Sequence, residues 1–229
     1  DESRWDLGAG WNAKYAPPAP NYKTITVTER DGTQNVHAFG RDRDINEGQL
    51  FSVVTRKAGV NYKTVQNTYL SDSEAANQPF LSWIGSSGDE YADRLPNSNR
   101  PVKTVVTSQD SATFNRSVNA FDVLARPLSV SKWSSGTQSD RGRSDTTEYH
   151  DDLALWVLGQ VKKETNTDTG RVTSETHFNN SALPSVRFSF GRVVEGYNYH
   201  PDGTLATVTD GRNNATSLNS WKRGIPQSI

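Results

Sequence analysis

YHPDGTLATVTDGRNNAT, residues 199–216, carries the plainest fold signal in the chain. An aromatic, Tyr199, is followed by a break at Asp202-Gly203 and then by the alternating run Leu205 to Thr209. Asp-Gly between two alternating runs is a strong local signal for a β-hairpin, because a tight turn needs residues that accept positive φ. The pattern is carried by Tyr199, Asp202, Gly203, Leu205, Val208 and Asp210. Residues of these types in this order form a turn and pack a strand; none of them points to chemistry.

The same grammar recurs along the chain. Thr24 to Glu29 and Gln34 to Phe39 flank Asp31-Gly32, and Leu50 to Thr55 and Val60 to Tyr69 flank Ala58-Gly59. Val102 to Thr107 and Thr113 to Phe121 form a third pair, and Val161 to Phe178 folds back near Asp168-Thr169-Gly170. Helical periodicity is weak, and its best candidate, HDDLALWVL at 150–158, is too short to stand as a helix. The expected class is therefore all-β, built from consecutive antiparallel hairpins with little helix. Residues 1–22 read as a Pro-rich arm or linker, and 23–229 as the hairpin region. Two polar, Gly-containing stretches, 71–100 and 134–148, are expected to interrupt it as loops.

Composition narrows the class. The 229 residues are 33% hydrophobic, which argues against a large core of packed helices, and 10% aromatic, which argues against disorder. Twenty-five basic against 26 acidic side chains leave a net charge of -1, so the chain has no electrostatic footprint for nucleic acid. No apolar run approaches the ~18 residues of a membrane-spanning helix. The absence of Cys excludes disulfides, Cys-ligated metal sites and a thiol nucleophile. The absence of Met makes a piece of something longer the expectation.

A second, looser copy of the pattern begins FDVLARPLSV at 121–130, with Phe121, Asp122, Arg126, Leu128 and Val130, and with Ala125 standing where the other copy has Gly203. Tyr149-His150 and Phe178-Asn179 are further aromatic-polar starts. Together with WVLGQVKKETNTDTGRVTSET at 156–176 and NSWKRGIPQSI at 219–229, this pattern resembles the tyrosine–aspartate (RHS) repeats of bacteria, best over 120–229. The resemblance implies a curved or spiralling sheet of hairpins, the shell of a polymorphic toxin. Such a shell encloses or displays another part of the polypeptide, on the cell surface or after secretion. Its partner would be the remainder of the same polypeptide or another copy of the chain.

Enzymatic readings find little support. The four His form no HxH or HxxxH pair, and Gly85-Ser86-Ser87-Gly88 is not a nucleophile elbow. Counting from Asn166 puts Arg171 and His177 where an EF-hand needs Gly and Glu. No enzyme activity, metal or cofactor is expected. The alternative is a carbohydrate-binding β module that offers cell-wall glycans an exposed Trp. Most of the six Trp are expected to face inward, and Trp83, inside the polar 71–100 stretch, is the first exposed candidate.

Overall fold

The computed structural model describes residues 21–42, 46–80, 100–136 and 141–229. The chain divides between Gly142 and Arg143 into two compact units. In the first, β1 (Tyr22–Thr28), β2 (Gln34–Gly40), β3 (Leu50–Lys57), β4 (Val60–Tyr69), β5 (Val102–Gln109), β6 (Ala112–Phe121) and β7 (Pro127–Ser135) pair antiparallel in chain order. One short helix, α1 (Asp72–Ala76), sits between β4 and β5. In the second unit, β8 (Gly142–Asp152, its first residue the last of the first unit), β9 (Val157–Asn166), β10 (Arg171–Phe178), β11 (Pro184–Ser189), β12 (Arg192–Tyr199), β13 (Leu205–Asp210) and β14 (Ala215–Ser217) pair in the same way. The molecule is nearly all β.

The turns divide into two kinds. Ala58-Gly59, Asp110-Ser111 and Phe190-Gly191 are two-residue turns in which both residues have positive φ, the twist that matches paired strands. The Asp-Gly turns are different. At Asp31-Gly32 and Asp202-Gly203 only the glycine has positive φ, and each belongs to a five-residue frame closed by two backbone bonds. Glu29 N–H donates to the Thr33 carbonyl (2.7 Å) and Gly32 N–H to the Glu29 carbonyl (3.0 Å). That is a three-residue loop ending in a left-handed residue.

Strands occupy part of what composition marks as loop. β7 runs to Ser135 and β8 starts at Gly142, inside the 134–148 stretch. β8 has no apolar alternation, and its Thr146 and Thr147 are β-branched residues suited to a strand. Tyr22, at the end of the expected arm, opens β1. Within 71–100, α1 is announced by Ser71 and Glu74, which form a capping box. The Lys103 ammonium and the Ser71 N–H hold the Glu74 carboxyl down to about 2. The apolar run at 150–158 is the end of β8, a turn, and the start of β9. Leu153 and Trp156 there are about 70% exposed, at 71% and 69%.

The core is small. Among the described residues the buried apolar side chains are Leu70, Ala75, Val118, Phe121 and Ala182, and no polar or charged residue is buried. Leu70, Ala75, Val118 and Phe121 form one cluster, with Phe80 and Val130 packed against it. The Phe80 and Phe121 rings meet edge to face at 5.9 Å. Phe121→Ala should therefore cost about 3–5 kcal/mol, whereas Phe114→Ala, at a half-exposed site on the same strand, should stay within about 1 kcal/mol. Urea unfolding of both variants checks this, and equal losses would mean that the cluster does not anchor the connection.

Candidate functional site

The sequence repeat becomes a repeat of geometry at the C-terminal ends of the even-numbered strands. Phe39 pairs with Leu50, Tyr69 with Val102, Phe121 with Pro127, Phe178 with Pro184, and Tyr199 with Leu205. In all five the register slips by one residue just before the aromatic. The extra residue is the second of the following odd strand: Phe51, Lys103, Leu128, Ser185 and Ala206. The shared unit is thus an aromatic, a first strand residue and a bulge; a tight turn joins them after Phe121, Phe178 and Tyr199, and a longer connection after Phe39 and Tyr69. The β8–β9 junction keeps a register slip but pairs Asp152 with Val157, so the start read at Tyr149-His150 is not equivalent.

A bulge disrupts the ladder and leaves backbone groups to be satisfied elsewhere. Aromatic tips contribute at three odd-strand starts, at Leu50 together with Asn67, whose Nδ2 donates to the same carbonyl at 2.7 Å. The Tyr69 hydroxyl donates to the Leu50 carbonyl (3.1 Å), the Tyr199 hydroxyl to the Pro184 carbonyl (2.8 Å), and the Trp221 indole N–H to the Leu205 carbonyl (2.9 Å). Each acceptor is the first residue of an odd strand. Burial raises the pKa of both tyrosines. Phe121 and Phe178 lack a donor and pack by ring contact, Phe178 stacking on His150 at 4.5 Å.

Five turns share the three-residue frame, with Gly32, Ala125, Ala182, Gly203 and Asn213 as the left-handed residue. Ala125 does occupy the position of Gly203. The two aspartates do not correspond. Asp122 heads its turn: one oxygen accepts from Leu124 N–H (2.9 Å) and Arg126 N–H (2.8 Å), and the other pairs with the Arg126 guanidinium at 2.6 Å from Nε. Asn179 and Asp210 head theirs in the same way. Asp202 stands third and accepts from Thr204 N–H (2.9 Å) and Oγ1 (2.6 Å), as Asp31 does from Thr33. Nor does Leu128 match Leu205: the counterpart of Leu205 is Pro127, and Leu128 is the bulge. Val130 and Val208 do match, three residues beyond Pro127 and Leu205, paired with Val118 and Tyr197.

The Phe178 copy extends further than its aromatic-polar start. Its signal is visible beside the other: Phe121-Asp122 and Phe178-Asn179, each with Ala three residues after the polar residue and Pro two residues after that. Trp83 lies outside the described residues. Of the Trp that are described, Trp221 is part-buried, but Trp133 is 43% and Trp156 69% exposed, against the inward packing expected. Among the described residues no group of three or more His, Asp or Glu is placed to hold a metal ion. No helix there is long and apolar enough to cross a membrane. No protein-family profile matches the chain, and no curated protein sequence is similar to it.

The turn geometry makes the same demand of Gly203 and Ala125, a left-handed backbone. Left-handed backbone strains every residue that has a Cβ, and a Cβ on Gly203 would meet nothing within 4 Å. Gly203→Val should therefore lose about 1–2 kcal/mol through backbone strain alone, while Ala125→Gly should gain up to ~1 kcal/mol. Opposite signs in urea titrations support the frame, and equal signs refute it. Tyr199→Phe should cost about 1 kcal/mol for the bond to Pro184.

Acid stability tests the Asp210 turn. Asn214, through its side chain and then its N–H, and the Arg212 N–H hold the Asp210 carboxyl below its ordinary value. A depressed folded pKa means the contribution is complete above the unfolded value and is lost as pH falls through the folded one. Asp210→Asn, which copies Asn179 in the sister turn, should keep neutral-pH stability and flatten the acid limb below about pH 4. Thermal melts from pH 2 to 7 measure both.

Proposed function

We propose that the chain is a structural, non-catalytic segment of an RHS-repeat protein, of the kind that encloses or displays another part of its polypeptide. One observation supports this reading: an aromatic beside a one-residue bulge recurs through both units of the chain. It recurs with irregular sequence spacing, so what is kept is the junction geometry and not a repeat length. The scarcity of buried side chains among the described residues supports the same reading. A protein of this size that served only itself would place many more residues out of water. The partner is the remainder of the same polypeptide, with another copy of the chain as second choice. The bacterial cell surface or its surroundings is the setting the reading implies.

The test uses the protein as its natural host makes it. Intact mass with peptide mapping should place residues 1–229 inside a polypeptide well above 25.3 kDa. Limited proteolysis of that polypeptide should leave a segment outside these residues protected, and urea that melts the sheet should expose it. A free-standing 25.3 kDa product, or a longer one with no protected segment, overturns the proposal.

A further inference from the structure

We propose that one face of β4–β7, centred on Trp133, binds a neutral polysaccharide. Cross-strand pairing places Asn115 directly opposite Trp133, with Ser117 opposite Ser131 and Thr113 opposite Ser135. Side chains alternate across a strand, so these six residues share one face. Trp133 is 43% exposed in their midst. The same face continues onto β5 and β4 through the pairing of Asn115 with Val106 and of Val106 with Gln66. From Thr64 to Thr68, Thr104 to Ser108, Thr113 to Ser117 and Ser131 to Ser135 it carries no charged residue. Apart from Trp133 and Val106 it presents only hydroxyl and carboxamide groups.

The opposite face of the same strands differs. Arg116 stands directly across from Lys132, and Lys63 shares their face. Like charges opposite one another weaken a sheet, so the placing of Lys63, Arg116 and Lys132 on one side is not a packing convenience. An uncharged face sheds its water at less cost than a charged one. A flat indole offers a π-surface to the C–H face of a pyranose ring, and hydroxyls and carboxamides around it match the ring's equatorial hydroxyls. The rim is held in place: the Thr113 and Ser135 hydroxyls are hydrogen-bonded to each other, Asn119 Nδ2 donates to Ser131 Oγ at 2.8 Å, and Asn115 Nδ2 reaches the Trp133 carbonyl at 3.4 Å. The strands repeat this polar surface every ~4.8 Å across the sheet, which suits a chain of sugars better than a single one.

The experiment is affinity electrophoresis of the 229-residue chain in gels containing hydroxyethylcellulose, galactomannan, glucomannan or heparin. Retardation is expected in at least one neutral gel. Trp133→Ala should weaken it about tenfold or more, and Trp133→Tyr, which keeps a stacking ring and guards against loss of fold, should retain part of it. Trp156→Ala should bind as the parent does. Migration unaltered by every neutral polysaccharide overturns the proposal. So does retardation that survives Trp133→Ala, or retardation in heparin alone, which assigns binding to the Arg116 and Lys132 face.

Discussion

Aromatic side chains that cap backbone carbonyls at the start of odd strands hold this sheet together. A meander of hairpins changes direction at every turn, and at the junctions after β2, β4, β6, β10 and β12 it also takes one extra residue into the odd strand. That residue bends the strand and increases its twist. It also interrupts the ladder, and among the described residues few buried side chains are present to absorb the cost. A tyrosine or tryptophan that carries its own donor to the exposed carbonyl answers both needs: the ring covers the junction and the tip completes the hydrogen bonding. Tyr69, Tyr199 and Trp221 make the same contact with Leu50, Pro184 and Leu205. The Phe variants rely on a neighbour instead, Phe80 for Phe121 and His150 for Phe178.

This economy explains the composition. A 33% hydrophobic chain is too polar for a layered domain, but it is sufficient when order comes from backbone pairing, turn chemistry and local ring contacts. Carboxylates serve as backbone acceptors within turns at Asp31, Asp122, Asp202 and Asp210. Cross-strand pairs such as Lys163 with Glu148 and Arg187 with Glu195 tie neighbouring strands together at the surface. Such pairs are individually weak.

Hairpins are legible in the sequence wherever Gly follows a polar or small residue between alternating runs, as at Asp31-Gly32, Ala58-Gly59 and Asp202-Gly203. They are concealed where the left-handed residue has a side chain. Phe190-Gly191 does not look like a turn by composition, yet it adopts the same backbone as Ala58-Gly59. β8 is hidden because a strand in a thin sheet needs no apolar alternation, so polarity alone reads as a loop. The bulge lies deepest. It is a property of two strands in register, and a single strand's sequence does not contain it. Leu128 and Leu205 look equivalent because both are leucines, whereas the register equates Leu205 with Pro127, a residue that a strand admits at its first position.

Specificity in such a fold belongs on the faces of its strands. Each junction contacts only its neighbours, as in other repeat architectures, so a change at one place is felt locally and the rest of the ribbon tolerates it. The junctions are committed to holding the backbone, and their side chains are occupied there. The faces of the strands are free of that duty. On β4–β7 the two faces have diverged, one collecting Lys63, Arg116 and Lys132 and the other none of them, although both are built from the same alternating strands. Local folding rules do not require that separation, since either sign of alternation would satisfy the ladder. The asymmetry between the faces is therefore a feature that the pairing of the strands alone does not dictate.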